Sequence, residues 1–136
     1  MTFSIDVRPA GHCVVVRLDG PFVLPRIEAA CTAIAASADW RPDFDVIFVI
    51  GPGTDLNEVT LDSLKDVQDF MRGWNAGHRS GPDPRTAIVC SDDFKRVIAD
   101  LWLALVGDDW PIQLRIFTSV KQATSWLQRP AGTDQA

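Results

Sequence analysis

The sequence predicts an α/β fold, a five-stranded and mostly parallel sheet with four helices in the order β-β-α-β-α-β-α-β-α. Three observations predict it. Residues 46–50 are five consecutive apolar residues, mostly β-branched or aromatic, which fits a strand covered on both faces. The first nineteen residues read as two short strands joined by a tight turn. From Leu24 onward, stripes at helical spacing alternate with short apolar runs, the pattern of parallel strands joined by helices.

Each element has its own signal. Residues 3–8 alternate apolar and polar, as a half-buried strand does, and Pro9 to His12 supply the turn. Residues 13–19 form the second strand, antiparallel to the first because the connection is short. Gly20 and Pro21 end it. Leu24, Ile27, Cys31, Ile34 and Ala35 mark a helix over 24–37, with Pro25 in the first turn, where its missing N–H has no partner to lose. The central strand takes 45–50, and Gly51-Pro52-Gly53 is expected to turn the chain off it. Thr60 caps a second helix carrying Leu61, Leu64, Val67, Phe70, Met71 and Trp74, which breaks in the Gly- and Pro-rich stretch 77–84. Residues 85–90 are the fourth strand. Ser91, Asp92 and Asp93 cap a third helix running to about Val106, and residues 107–111 stop it. Residues 112–117 are the fifth strand, and Ser119 caps a last helix with Val120, Ala123, Trp126 and Leu127. One domain over 1–128 with a disordered tail over 129–136 is expected.

Composition narrows the function classes. Apolar residues make up 46%, enough for a core. The net charge of −5 argues against nucleic acid as a partner and against a polybasic membrane anchor. Cys13, Cys31 and Cys90 are widely spaced, with no CxxC, and are read as buried reduced thiols of a cytoplasmic protein. With His12 and His78 both in predicted turns, no metal site is expected, and no cofactor. The first residues lack the pattern of a signal peptide, and no apolar run is long enough to span a membrane.

No catalytic constellation stands out. Gly51-Pro52-Gly53-Thr54 lacks the Gly-Lys-Ser/Thr end of a phosphate-binding loop; it is read as a sharp turn, with Thr54 on one wall of a pocket at the sheet's carboxyl edge. Thr60 and Ser91 are read first as caps and second as helix ends able to receive an anion, although Asp62, Asp92 and Asp93 already supply negative charge there. The third helix is the unusual element. Its core stripe is read as Phe94, Val97, Ile98, Leu101 and Leu105, which leaves Trp102, Leu103 and Val106 on the outer face. Such a face marks a subunit interface, a membrane-surface contact or a lipid-like ligand site, unless a neighbouring helix or the Trp110 loop covers it. Of the five tryptophans, Trp74 and Trp126 fall on core stripes, and Trp40, Trp102 and Trp110 are candidates for a binding surface.

The order of elements resembles the STAS fold of the anti-sigma factor antagonists, and more closely the SpoIIAA-like proteins. These are a bacterial group related to STAS and similar in shape to the Sec14 (CRAL-TRIO) lipid-binding domains. The resemblance spans Phe3 to Leu127. It is carried by the 40–46 approach to the central strand, by strand 86–89 with its Asp-rich helix cap, and by the close of the chain, where Arg115-Ile116-Phe117 precedes a short helix over 120–127. In the antagonists, the loop after the central strand leads to an Asp-Ser-Ser/Thr-Gly motif whose serine is phosphorylated. Here residues 55–64 lack that motif, and only Thr54, Thr60 and Ser63 offer hydroxyls nearby.

The resemblance implies a non-enzymatic interaction or regulatory module that binds a protein partner or its own copy through the third helix and the loops at the sheet's carboxyl end. The alternative it implies is a carrier or sensor of a small apolar, lipid-like ligand in a pocket under that helix. The residues assigned to ligand or partner binding are Thr54, Thr60, Ser91, Phe94, Ile98, Trp102, Leu103 and Val106. An enzyme reading rests on the α/β architecture alone.

Overall fold

Val46 and Ile47 show why the third strand is the middle of the molecule. Both are fully buried, and consecutive side chains of a strand point to opposite faces, so the strand needs cover on both sides. In the computed structural model, which describes residues 3–107 and 110–128, it has that cover. The elements are β1 (Phe3–Arg8), β2 (Cys13–Pro21), α1 (Leu24–Ala36), β3 (Asp45–Asp55), α2 (Leu61–His78), β4 (Arg85–Cys90), α3 (Asp93–Val106), β5 (Gln113–Phe117) and α4 (Val120–Leu127). The sheet order is β1-β2-β3-β4-β5, with β1 antiparallel to β2 and every other pair parallel. The sequence-predicted tail over 129–136 lies outside the described residues.

The parallel strands are laid down in one direction, so like-handed crossovers place α1, α2 and α3 on the same face. On that face Val14, Val16, Leu18 and Val46 pack against Ile27, Ile34, Val67, Met71 and Trp74. On the other face Cys13, Val15, Ile47, Ala87 and Val89 pack against Ala123 and Leu127 of α4. The α4 layer does not reach β1, whose outward residues are polar: Ser4 and Asp6 are exposed, and Arg8 pairs with Asp6 at 2.8 Å. Cys13, Cys31 and Cys90 are buried free thiols. No described helix is long and apolar enough to cross a membrane.

One expectation fails at the Gly-Pro-Gly segment. The chain does not turn there, and β3 runs on to Asp55. Leu18 pairs with Ile50 and Gly20 with Thr54, so three residues of β3 bulge opposite the single Asp19. Proline and glycine are tolerated because the bulge asks for no ladder donor at Pro52 and leaves no room at Gly53, where a Cβ would collide with the Asp19 carboxylate. Thr54 closes the bulge. Its hydroxyl accepts from Gly51 N at 3.0 Å and donates to Leu18 O at 2.9 Å, and the residue is buried.

Two smaller differences concern the end of α2 and the place of Trp40. The sequence places a break at Gly77, but α2 continues through it to His78, whose ring stacks on Trp74 at 4.9 Å. His78 therefore sits in a helical turn and not in a loop. Trp40 is buried, edge-on to Phe44 and beside Trp74, and so belongs to the core and not to a binding surface.

The Thr54 bulge carries a direct test. Thr54→Val keeps the shape and removes both hydrogen bonds from a buried site, at a cost of about 1–3 kcal/mol. A thermal melt should fall by roughly 3 °C or more. An unchanged melting temperature would show that the bulge is held by the ladder alone.

Candidate functional site

The helix ends come first, because the sequence offers them as anion sites. Thr60 is the N-cap of α2, and its hydroxyl accepts from Ser63 N at 3.0 Å while Ser63 Oγ accepts from Thr60 N at 2.8 Å. This reciprocal box occupies the amides an anion would need. For α3 the cap is Asp92, whose carboxylate accepts from Lys95 N at 2.9 Å; Ser91 is exposed one position earlier and caps nothing. The carboxyl edge of the sheet is also occupied. Lys95 Nζ donates to Gly51 O at 3.0 Å and Pro52 O at 3.2 Å. Gly51, Pro52 and Gly53 line an open groove of about 420 Å³ with Ser4, Arg17 and Asp19. Thr54 is buried beneath the bulge and is not on that wall.

The third helix is rotated relative to the sequence expectation. Phe94, Val97 and Leu101, read as core, are 75%, 62% and 42% exposed. Val106, read as outer, is buried, and Trp102 and Leu103 are partly buried. The inward stripe is Lys95, Ile98, Ala99, Trp102 and Val106. Two contacts set this phase. Lys95 is drawn to the sheet edge by the carbonyls of the bulge, and Gln68 of α2 donates to Trp102 O at 2.9 Å. The small side chain of Ala99 at the centre of the stripe lets the helix approach the sheet, whereas Phe94, five residues earlier, lies outside.

Between this stripe and the sheet lies a cavity of about 70 Å³. Its floor is Phe48, Ile88 and Leu114, its side is Leu64, Val67 and Met71 of α2, and its roof is Ile98, Ala99 and Trp102. Trp110 closes it, edge-on to Trp102 at 5.7 Å and covered by the Arg72 guanidinium at 4.9 Å. The lining is almost wholly apolar; Asn75 and Thr86 are its polar residues. A cavity of about 150 Å³ holds a benzene, so about half that volume admits only a few heavy atoms unless α3 moves outward. Of the eight residues assigned from sequence, Ile98 and Trp102 line this cavity. Phe94 stands on the opposite side of α3, and Thr54, Thr60 and Ser91 lie elsewhere. Asn75, Met71 and Leu114 were not assigned to a site from sequence, and Met71 was read only as part of the second helix's apolar stripe. On a stripe, an inward Asn or Met looks like ordinary helix packing, and only the topology brings them under α3.

Behind the cavity wall sits a buried cation. Arg79 is 9% exposed; its guanidinium donates to Thr86 Oγ1 at 3.0 Å and to Arg85 O at 2.7 Å. Burial lowers its pKa to about 10, against the opposing pull of the Asp45 carboxylate. Asp45 is itself buried and accepts from Arg85 N at 3.0 Å. These groups pin α2 to the amino ends of β3 and β4. Among the described residues, no three His, Cys, Asp or Glu side chains gather as a metal site.

These features define a small α/β protein with three helices on one sheet face, one on the other, and a narrow apolar cavity beneath the third. A solved structure shares that architecture. The crystal structure of an uncharacterized protein of the DUF3478 family, with a SpoIIAA-like fold, from Shewanella loihica PV-4, matches with a TM-score of 0.55. The likeness covers 93% of this chain and 92% of that one at 16% identity, so it is a likeness of fold. This chain has the SpoIIAA-like, STAS-type fold. No protein-family model matches the chain, and no curated protein matches its sequence.

The buried thiols give a pH test. Burial pushes the Cys31 thiol up to about 12 from the ordinary 9.0. Below pH 9 both folded and unfolded chains keep this proton, and the stabilisation is complete. Between pH 9 and 12 the unfolded chain releases it first, so stability falls as pH rises. From pH 8 to 10.5 the wild type should lose about 2 kcal/mol more than Cys31→Ala, read from urea midpoints. Equal losses would mean that Cys31 ionises normally in the fold.

Proposed function

We propose that this protein is a non-enzymatic binding module that meets another protein surface through the outer face of α3, with a second copy of the chain as its first partner. The observation that carries this is the exposure of Phe94, Val97 and Leu101, three large apolar side chains on one helical stripe. Burying them is worth on the order of 4–8 kcal/mol before the cost of association. The flanking Asp93 and Asp100 are exposed, and Lys95 is engaged with the sheet edge, so the stripe has an acidic margin that suits a protein surface better than an anionic membrane. The non-enzymatic part is supported by the chemistry at hand. All three thiols are buried with raised pKa, and the imidazole of His78 bonds Trp74 O at 3.0 Å.

A second reading, supported by the apolar cavity, is a carrier or sensor of a small apolar ligand held beneath α3. The two readings use opposite sides of one helix and are compatible.

Sedimentation equilibrium between about 5 and 200 μM tests the first reading. Wild type should self-associate, with a Kd in the micromolar range that an apolar contact of this size supports. Phe94→Ser with Leu101→Ser should sediment as a monomer with its melting temperature within roughly 3 °C of wild type, because exposed positions contribute little to the fold. A wild type that stays monomeric throughout, or a variant that associates equally well, would contradict it.

A further inference from the structure

Four side-chain polar atoms of the described residues are buried without a hydrogen-bond partner: Asn75 Oδ1, Arg79 Nε, Trp102 Nε1 and Trp110 Nε1. Three of these belong to residues lining the cavity beneath α3, although the atoms themselves are closed off from it while α3 is seated. Buried polar groups are nearly always paired, so three on one small cavity call for a partner. They are also neighbours. The two indoles meet edge-on at 5.7 Å. Gln68, Arg72 and Asn75 follow one another on the stripe of α2 that faces α3. Gln68 holds Trp102 O and Arg72 covers Trp110, which leaves Asn75 one turn further along the same wall. Asn75 itself is only 4% exposed.

The chemistry of the missing partner follows from the donors and acceptors. Two indole N–H groups donate only, so they need an acceptor. The Asn75 carbonyl oxygen needs a donor. Apart from Thr86 the rest of the lining is apolar, and it includes no charged side chain. Arg79 lies behind Thr86 and donates to its hydroxyl oxygen. We infer that the cavity binds a small neutral amphiphile, a primary alcohol or primary amide on a short hydrocarbon body, with its oxygen accepting from Trp102 and Trp110 and its O–H or N–H donating to Asn75. A carboxylate would offer acceptors alone, with nothing to donate to Asn75, and the buried guanidinium of Arg79 already donates to Thr86 and to Arg85 O. The hydrocarbon body lies between Val67, Ile88 and Ala99. To admit it α3 moves outward, and α3 holds the fold by only two buried side chains, Ala99 and Val106.

The inference rests on the second reading above and can fail separately from it. The experiment is an ¹⁵N–¹H titration of the wild-type indole region with hexanamide, 1-hexanol, hexanoate at pH 8 and n-hexane. The five tryptophans are assigned through Trp→Phe variants. Hexanamide and hexanol should produce saturable shifts of the Trp102 and Trp110 N–H signals, leave Trp126 unmoved, and bind at least about tenfold more tightly than hexanoate, a difference of about 1.4 kcal/mol. Asn75→Leu should weaken hexanamide about fivefold or more and leave hexane unchanged; the wild-type series decides the matter even if that variant does not fold. Hexane binding as tightly as hexanol, with unmoved indole signals, would overturn the polar head and keep the apolar ligand. Tighter hexanoate would overturn neutrality. No saturable shift with any probe would overturn both.

Discussion

Everything else in this molecule depends on β2, β3 and β4 being covered from both sides. Val14, Val15, Val16, Val46 and Ile47 are each at most 1% exposed, and they alternate between a three-helix layer and α4. Neither layer suffices alone, because a strand with one bare face would leave half of these side chains in water. The polar pins lie at the ends of this slab. Asp45, Arg79 and Thr86 hold the amino ends of the central strands, and Thr54 ties the bulge of β3 to β2 at the other end.

The cover is uneven, and the unevenness is where binding is possible. The first two helices bury four and six residues, including Cys31, whose sulfur sits 3.7 Å from that of Met71. In α3 only Ala99 and Val106 are buried, over fourteen residues. Its inward side leaves a cavity, and its outward side shows Phe94, Val97 and Leu101 to solvent. One helix thus forms the roof of the cavity on one side and an apolar stripe on the other. A ligand that lifts the roof changes the position of the stripe, which gives a physical route from a small molecule to a protein contact.

Much of the fold was legible in the sequence, and the reasons are local. Alternation in β1, the both-sided apolar run of β3, the Pro25 start of α1 and the Ser119 cap of α4 each act within a few residues. What was not legible depends on partners far along the chain. Pro52 and Gly53 look like a turn until Asp19, Lys95 and Thr54 are seen to build a bulge from them. The phase of α3 was misread because the helix is apolar around most of its circumference. Its inward stripe begins with a charged residue, Lys95, and centres on a small one, Ala99, while the bulky Phe94 faces out. Trp40 reads as a loop residue but closes the core between Phe44 and Trp74. A pocket under the third helix was the alternative reading of the sequence; that Asn75 and Trp110 line it was not foreseen, since only the fold brings them to one cavity.

Native-state hydrogen exchange tests the central claim, that α3 is the weakly held cover of a strongly held sheet. Amides of β2 and β3 should exchange only through global unfolding, and those of α1 and α2 close to it. Amides of α3 should open at a free energy lower by about 2 kcal/mol or more, as expected of an element with few buried contacts. Protection of α3 equal to that of β3 would contradict the account, because a helix so firmly seated is neither a movable roof nor a switchable surface.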